Sequence, residues 1–358
     1  MSRVPHARTP ATVSRPIHVA VDAHDLLRDD RGIGRYVRAV LTRGLRSPDV
    51  RFTLLVRDVF PKRRAFAAAL EAPHVAIARS VPRDADVTWS PWNGTFVRTS
   101  TPLVATIHDV VPFAFPDADP RRRASQQAPF LRTATEAARI IADSAFTARE
   151  VERYLAVDAA RVTVVPLGVD AAFSAIGPRF ATEDGRPYVL HVGAHDARKN
   201  IALLIAAHER AFPNGEVALV MTRAPGGAAA DVVVQSAADD AALAAMYRGA
   251  AAVAVPSLYE GFGLPLLEAL ACGAPVLAAE AASLPEVGGD AVTWLAPDDV
   301  DAWAAALRRM LVTADVRKIA IARGPAQAAR FSWDACTMAT LDVLRSVVRD
   351  GRASMGSA

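Results

Sequence analysis

Cysteine is scarce in this chain, which has 2 cysteines among 358 residues. Cys272 and Cys336 form neither a metal-ligand pattern nor a disulfide framework, so a reducing cytoplasm is the simpler environment. Long apolar runs are missing too, because Arg248 and Pro256 interrupt the best candidate for a transmembrane segment. Residues 1–16 lack the apolar stretch of a signal peptide, and we interpret them as a disordered leader.

An excess of charge of one sign is also lacking. The net charge is +3 at pH 7 and the isoelectric point is near 9.1. Such mild basicity suits an anionic small molecule or an anionic membrane surface and is too weak to indicate nucleic-acid binding. Hydrophobic residues make up 52% of the chain and charged residues 22%, which is typical of a sizeable core and unlike a disordered protein. The length predicts one large or two medium domains.

Several common catalytic motifs are absent: there is no Walker phosphate loop, no zinc-ligand spacing and no nucleophile elbow. Gly32 and Gly34 resemble half of a dinucleotide fingerprint, but Val37 stands where the third glycine belongs, so a dehydrogenase is only weakly indicated. These glycines would instead let their loop approach a ligand or another domain closely. The paired aspartates at 84–86 and 117–119 have a metal-binding spacing, but the second pair is typical of a turn, and we expect no bound metal.

Strands alternate with helices on both sides of a break at residues 171–187, which contains glycine and proline. This order predicts an α/β protein with two doubly wound parallel sheets, one in residues 17–170 and one in residues 188–332. A last helix is expected at about residues 333–348. In the first half, a loop that holds Gly32 and Gly34 is expected to precede a helix over residues 36–45.

Ligands of such sheets bind beyond the carboxyl ends of the strands. The loops at residues 32–34, 108, 195–199 and 260–263 all follow predicted strands. We therefore expect all four loops to face one cleft.

The most informative stretch begins with an apolar run, residues 250–255, that predicts a buried strand. A glycine-bearing loop follows at residues 260–263, and a helix begins near Pro265. Together they predict an anion site at a helix N-terminus. Glu260 and Glu268 flank this site and would repel an anion, so we interpret them as ligands for hydroxyl groups such as those of a sugar nucleotide. Two solvated glutamates on an ordinary βαβ unit are the alternative.

Cations and histidines in the other loops are further candidates. Arg198 and Lys199 enter a helix where their charge opposes its dipole, which is typical of a diphosphate clamp, with a solvated pair as the alternative. His108, beside Asp109 at the end of a strand, can act as an acid, a base or a hydroxyl ligand, or do no chemistry. His195 shares the loop of the cations and is more simply a solvated histidine.

Residues 260–276 resemble the paired-glutamate motif of the retaining glycosyltransferases of family 4, in the position of both glutamates, three glycines and two prolines. Residues 198–200 resemble the diphosphate clamp of that family. Four further stretches are similar to the family or to its bacterial mannosyltransferase branch: residues 165–170, 331–333, 21–36 and 106–116. The resemblance covers about residues 17–348.

The resemblance implies the GT-B fold, in which two Rossmann-like domains face each other and a C-terminal helix crosses back to the first. It also implies a role for each matching residue. Three catalytic roles follow. Glu260 would hold hydroxyls of the donor sugar, and His108 would contact the sugar near the reacting carbon. Arg198 and Lys199 would neutralise the leaving diphosphate in place of a metal. Donor-binding roles fall on Gly32, Gly34, Gly193, Gly261, Phe262, Gly263, Leu264 and Glu268, of which Glu268 would bind the ribose.

The implied function is transfer of a hexose, with retention of anomeric configuration, to a saccharide or lipid-linked acceptor of a cell-surface polysaccharide. Branch resemblance suggests GDP-mannose as the donor, with no cofactor and no metal. Location would be cytoplasmic, with peripheral membrane association through Arg121–Arg123, although that run is also typical of a solvated helix start. Two alternatives stay open: a sugar-nucleotide epimerase and a non-catalytic sugar-nucleotide-binding protein. One departure from the family is Thr222-Arg223, where a glycine loop is usual; glycines appear here only at residues 226–227.

Overall fold

The chain folds around two parallel β-sheets, one from each half of the sequence. A computed structural model of the chain describes residues 15–29, 32–56, 63–193, 196–224, 232–312 and 314–356. Nearly all of the predicted leader, His195 and the glycines at 226–227 therefore lie outside the described residues. Every strand pairing within either sheet of the described part is parallel, so each strand is followed by a crossover to the same edge.

The first sheet has its strands in the order β3-β2-β1-β4-β5-β6-β7. These strands are β1 (Ile17–Asp22), β2 (Val50–Leu55), β3 (Ala76–Ala78), β4 (Val87–Ser90), β5 (Leu103–Ile107), β6 (Ala137–Ala142) and β7 (Val162–Val164). β1 lies near the middle and pairs with β2 along its whole length, from Ile17 opposite Val50 to Asp22 opposite Leu55. Its apolar residues are buried because helices cover both faces of a doubly wound sheet.

The second sheet has the order β10-β9-β8-β11-β12-β13. Its strands are β8 (Tyr188–His191), β9 (Ala218–Met221), β10 (Val232–Val234), β11 (Ala252–Val255), β12 (Val276–Ala279) and β13 (Val292–Leu295). β11 is central, with Val253 opposite Leu190 on one side and Val276 on the other. The stretch of glutamates that follows β11 is therefore delivered at the middle of the sheet.

Helices connect these strands. Within the described residues they are α1 (Gly32–Gly44), α2 (Arg63–Ala69), α3 (Val111–Ala114), α4 (Pro120–Glu136), α5 (Ala145–Leu155), α6 (Ile201–Ala211), α7 (Asp240–Gly249), α8 (Leu264–Ala271), α9 (Leu284–Gly288), α10 (Val300–Val312), α11 (Ala314–Ala328) and α12 (Trp333–Gly356). Ser144 caps α5, because its Oγ accepts a hydrogen bond from Thr147 N at 3.0 Å.

The last helix returns to the first sheet. Trp333, Leu341 and Leu344 of α12 are buried in the same apolar cluster as β1 and α1. At the margin of this cluster, Arg345 Nε pairs with Asp49 Oδ2 at 2.9 Å. The two parallel sheets and this returning helix confirm the predicted fold class.

The start of α1 differs from the expectation. Gly32 and Gly34 lie inside α1, whereas the sequence predicted a loop there and a helix from residue 36. Glycine is a poor helix former, but a Cβ on Gly34 would come within 1.7 Å of the Asp29 carbonyl oxygen. Close packing of the preceding turn on the helix therefore requires glycine and outweighs its low helix propensity.

Other elements differ as well. The sequence favours a helix across residues 124–138, but Ala137 and Ala138 belong to β6, because α4 ends at Glu136 and the strand follows without a loop. The short helix α9 was not predicted, since five residues are too few for a periodic pattern. α12 continues to Gly356, beyond the predicted end at about residue 348.

The described helices show no membrane-spanning candidate, since none of them combines sufficient length with sufficient apolarity. Among the same residues, no group of three or more histidine, cysteine or acidic side chains is arranged to hold a metal ion. The paired aspartates serve other contacts. Asp84 pairs with Arg51 at 2.6 Å, and Asp119 caps α4 by accepting from Arg121 N at 2.8 Å.

Candidate active site between the two sheets

Loops from both halves of the chain meet at the carboxyl ends of their strands. α1 follows β1, His108 follows β5, a single 3₁₀ turn at Ala197–Lys199 follows β8, and Glu260 follows β11. A Cβ on Gly32 would lie 3.1 Å from the Leu264 side chain, so α1 of the first half touches the start of α8 in the second. The structure thus brings together the loops that were expected to share a cleft.

Glu260 is the centre of a buried ion cluster. Its Oε1 lies 2.5 Å from Lys199 Nζ, and its Oε2 lies 3.1 Å from Arg198 Nη1. Arg198 also donates to the Tyr259 carbonyl at 3.2 Å and pairs with Asp196 at 3.3 Å. Burial disfavours the charged carboxylate, but Lys199 and Arg198 outweigh it and hold the pKa of Glu260 below its ordinary value.

Direct contact between the cations and Glu260 was not foreseen. The sequence suggested that Arg198 and Lys199 would meet phosphate while the glutamates stayed available for hydroxyls. In the structure the two cations face two carboxylates, Glu260 and Asp196, so the cluster is close to neutral. A diphosphate would therefore share these cations with Glu260, and the same cations would fix the orientation of the carboxylate toward a hydroxyl.

The second glutamate, Glu268, is buried on α8. Tyr247 donates its hydroxyl to Glu268 Oε2 at 3.0 Å, and Arg35 Nη1 of the first half lies 3.1 Å from Oε1. Arg35 also pairs with Asp240 at 2.5 Å and stacks over the Phe173 ring at 5.2 Å. Burial raises the pKa of Glu268 to about 7, and Arg35 and Tyr247 offset only part of that effect.

His108 is oriented by a carboxylate other than its sequence neighbour. Its Nδ1 lies 2.6 Å from Asp143 Oδ2, its Nε2 lies 2.8 Å from the Pro91 carbonyl, and Asp109 instead accepts from Val111 N. Burial opposes the imidazolium, but Asp143 outweighs it and raises the pKa of His108. Acceptors at both nitrogens favour the protonated ring over either neutral tautomer, and the predicted contact of His108 with a sugar stays a prediction.

Gly261 is a point of very close approach between the halves. A Cβ on this residue would lie 1.7 Å from the His108 carbonyl oxygen, so no other amino acid fits. Ser144 Oγ donates to the Gly261 carbonyl at 2.6 Å, and Thr147 Oγ1 donates to it at 3.0 Å. The peptide after Glu260 is therefore clamped to the N-terminus of α5 in the first half.

The other predicted donor-site residues surround the start of α8. Gly263 has φ +101°, a left-handed conformation that favours glycine, and precedes Leu264 as the N-cap of the helix. Phe262 is buried against Phe331, with ring centroids 5.7 Å apart. Gly193, after β8, donates its N–H to Thr222 Oγ1 at 3.3 Å, so the residue that departs from the family pattern contacts the loop of the cations.

Sequence reasoning missed four polar residues that shape the site. Asp143 and Tyr247 hold His108 and Glu268, Arg35 reaches across the cleft, and Glu286 accepts from Ala145 N and Phe146 N at 2.8 and 2.6 Å. Asp143 offered a signal, because it directly follows a buried strand next to the strand of His108. Glu286 offered none, since its contact lies 140 residues away along the chain.

A cavity of about 440 Å³ lies elsewhere, at the amino end of β5. It is lined by Arg98, Thr99, Thr101, Leu103, Arg132 and Glu136. Parallel α/β sheets bind ligands at the carboxyl ends of their strands, so the candidate site is the cleft and not this cavity.

Two family models match the chain. The model described as Glycosyltransferase Family 4 matches residues 26–173, and the model described as Glycosyl transferases group 1 matches residues 227–327. The first match contains Arg35 and His108, and the second contains Glu260 and Glu268. Each match therefore falls in a different half of the chain.

Two curated relatives illustrate the similarity. O-antigen chain mannosyltransferase B of Escherichia coli is 31% identical over 270 residues, which cover 68% of this chain and 70% of that protein. D-inositol 3-phosphate glycosyltransferase of Segniliparus rotundus is 32% identical over 242 residues, which cover 60% of this chain and 54% of that protein. The second alignment thus spans about half of the relative.

Solved structures share the fold. Sucrose-phosphate synthase from Thermosynechococcus elongatus superposes with a TM-score of 0.71 at 19% identity, over 94% of this chain and 100% of that one. Anabaena HepE in complex with UDP-glucose superposes with a TM-score of 0.69 at 15% identity, over 92% and 100%. With the site geometry and the family matches, the conclusion is that this chain belongs to the group 1 glycosyltransferases of family 4 and is a glycosyltransferase with the GT-B fold.

Proposed function

We propose that the protein is a retaining, metal-independent hexosyltransferase that moves mannose from GDP-mannose to a saccharide or lipid-linked acceptor during synthesis of a cell-surface polysaccharide. The observation that supports this proposal most directly is the buried cluster of Arg198, Lys199 and Glu260. A cation pair fixed beside a carboxylate suits a ligand that presents phosphate and hydroxyl groups together. Similarity to an O-antigen chain mannosyltransferase favours mannose and a polysaccharide acceptor.

In the proposed reaction, the bond between the sugar and the diphosphate breaks first. Arg198 and Lys199 stabilise the leaving diphosphate, the task that a metal performs in other transferases, and one such contact contributes about 3 kcal/mol. Glu260 holds a hydroxyl of the sugar as oxocarbenium character develops. The acceptor hydroxyl then attacks from the face that the diphosphate leaves and gives its proton to a phosphate oxygen.

A thermal-shift panel tests the choice of donor. Ligands that bind the native state raise the apparent melting temperature by mass action. We expect GDP and GDP-mannose to give the largest shifts among GDP, UDP, ADP and their sugars. A response to UDP compounds alone would overturn the assignment of GDP-mannose.

Transfer assays test the reaction class. With GDP-mannose and an acceptor saccharide, we expect a product of retained configuration by NMR and full activity in EDTA. A strict requirement for a divalent metal, or an inverted product, would contradict the mechanism. Conversion of the nucleotide sugar to its epimer without an acceptor would instead support the epimerase alternative.

Peripheral association with the cytoplasmic membrane face is the last part of the proposal. Arg121 and Arg122 are exposed at the start of α4 and carry the charge that an anionic surface attracts. Co-sedimentation with phosphatidylglycerol vesicles, but not with phosphatidylcholine vesicles, is the expected result. Equal recovery with both kinds of vesicle would argue against it.

A further inference from the structure

We propose that Arg35, supplied by the first half of the chain, is a positioning residue of the nucleotide site. Its guanidinium orients the Glu268 carboxylate toward the ribose hydroxyls of the donor and balances the charge of that carboxylate beside the diphosphate. This inference rests on the proposed function, because it requires that the cleft bind a nucleoside diphosphate. It explains how a glutamate can lie next to an anion site.

The geometry fixes Arg35 from several sides. Nη2 pairs with Asp240 Oδ1 at 2.5 Å, and the guanidinium stacks over Phe173 at 5.2 Å. These contacts belong to α7 and to the segment between the sheets, while Arg35 itself belongs to α1. A side chain held in this way loses little further conformational freedom when it contacts a ligand.

One nitrogen of Arg35 retains binding capacity. Nη1 is buried and lies 3.1 Å from Glu268 Oε1 as an ion pair, but it makes no aligned hydrogen bond to any described residue. Buried donors without a partner are costly, so a ligand oxygen there would be favoured. Tyr247 occupies one lone pair of Glu268 Oε2, and a carboxylate has about four acceptor sites. Two acceptor sites of the carboxylate therefore remain for ribose hydroxyls.

The charges around Glu268 explain why its ion pair with Arg35 is needed. Glu268 is faced by Asp240 and Tyr247 on α7, by Asp170 after β7, and by Arg35 on α1. The two aspartates raise its pKa, and Arg35 is the cation that lowers it. Without Arg35 the carboxyl would hold its proton at higher pH, and a protonated carboxyl accepts hydroxyl hydrogen bonds poorly.

Calorimetry with GDP between pH 6 and 8.5 provides the test. We expect wild-type affinity to fall as pH drops below about 7, where Glu268 gains its proton. Arg35→Met should weaken GDP about tenfold at pH 7, the size of one lost charge-assisted contact, and should move the midpoint of the profile to higher pH. Arg35→Lys should restore part of the affinity, because it restores the charge.

Three controls separate this role from a structural one. In a Glu268→Gln background, Arg35→Met should weaken GDP by much less than it does in the wild type, because the carboxylate through which Arg35 mainly acts is gone. Arg35→Met should also weaken 2′,3′-dideoxy-GDP less than GDP, because the dideoxy nucleotide lacks the hydroxyls that Glu268 would bind. Arg43 lies on the same helix as Arg35 but away from the cleft, where it pairs with Asp334 of α12, and Arg43→Met should bind GDP like the wild type.

Unchanged or tighter GDP binding by Arg35→Met would overturn the inference alone. So would an equal loss for the dideoxy nucleotide, or a full additional loss in the Glu268→Gln background. A wild-type protein that binds none of GDP, UDP and ADP would overturn the proposed function and this inference with it.

Discussion

Lys199 shows at the residue scale how burial changes the role of a surface residue type. The residue is 6% exposed, and its ammonium lies 2.5 Å from a carboxylate that is itself buried. Lysine is seldom buried unless it is paired, so this position is held by the ion cluster and not by apolar packing. The turn that carries Lys199 follows β8, which pairs with β11 at the middle of the second sheet.

Lys199→Met should abolish nearly all transfer, with a decrease in kcat of about 100- to 1,000-fold, because the charge that stabilises the leaving diphosphate is lost. The variant should also lose stability, since breaking a buried pair costs about 3–5 kcal/mol. Circular dichroism checks the fold, and Lys199→Arg should recover part of the rate. Arg210→Met, which removes an exposed pair with Asp301, is the matched control. Wild-type turnover in Lys199→Met would contradict the clamp.

The pair of His108 and Asp143 predicts a pH effect at the same scale. Asp143 raises the pKa of His108 above 6.5, so the folded state binds the proton more tightly than the unfolded state. The resulting stability is fully present below about pH 6.5 and is lost as pH rises through the folded pKa. Asp143→Asn should lower the pKa of His108 in an NMR titration and remove this dependence.

Asp84→Asn is the control for Asp143→Asn. Asp84 lies 3.3 Å from His18, far along the chain from His108, and is largely exposed. The titration of His108 should be the same in this variant and in the wild type. A His108 pKa that does not respond to Asp143→Asn would show that other groups hold the proton.

At the scale of elements, the loop after β11 and the N-terminus of α5 join the two halves. Ser144 and Thr147 hold the Gly261 carbonyl, while Glu286 of α9 accepts from the first amides of α5. A carboxylate at a helix N-terminus is stabilised by the free N–H groups and by the helix dipole. The two halves are therefore joined here by polar contacts, beside the apolar contact of Tyr259 with Phe115 and Phe146.

Gly261→Ala should separate the halves, because the new Cβ would lie 1.7 Å from the His108 carbonyl oxygen of the first half and one of the two backbones must shift. We expect a loss of transfer of about 100-fold or more, since misplacement by about 1 Å can cost that much. Small-angle scattering should show a larger radius of gyration with unchanged helix content. Gly351→Ala, where a Cβ meets open space, should keep full activity. An active, equally compact Gly261→Ala variant would refute the close contact.

At the scale of the whole molecule, α12 ties the end of the chain to its beginning. Leu344 and Trp333 of this helix share one apolar cluster with residues of both sheets. Gly168 packs against the backbone of Trp333, so the two crossings between the halves touch. The halves are thus coupled in stability as well as in function.

Leu344→Ala should lower the free energy of unfolding by about 2–5 kcal/mol, because it leaves a cavity in this shared cluster. Urea denaturation measures the change. Met338→Ala, at a position on the same helix that is 65% exposed, should change stability by less than about 0.5 kcal/mol. Equal effects of the two substitutions would show that α12 does not contribute to the core.

The sequence by itself determined the elements and the order in which they occur. The apolar runs of β5, β10 and β13 coincide with the strands themselves, and Ser144, a typical N-cap residue, caps α5. These features depend on apolar runs, caps and turn residues that act over a few positions. Alternation of strands and helices then led to parallel sheets and to one edge for all the functional loops.

Only the tertiary structure decided which polar groups meet. Arg35 contacts Asp240 across 205 residues, and Glu286 contacts Phe146 across 140. Asp143, and not the adjacent Asp109, became the partner of His108 because neighbouring parallel strands place their ends side by side. The pKa of Glu268 is likewise a property of the fold, since burial sets it and no local pattern encodes the depth at which a helix packs.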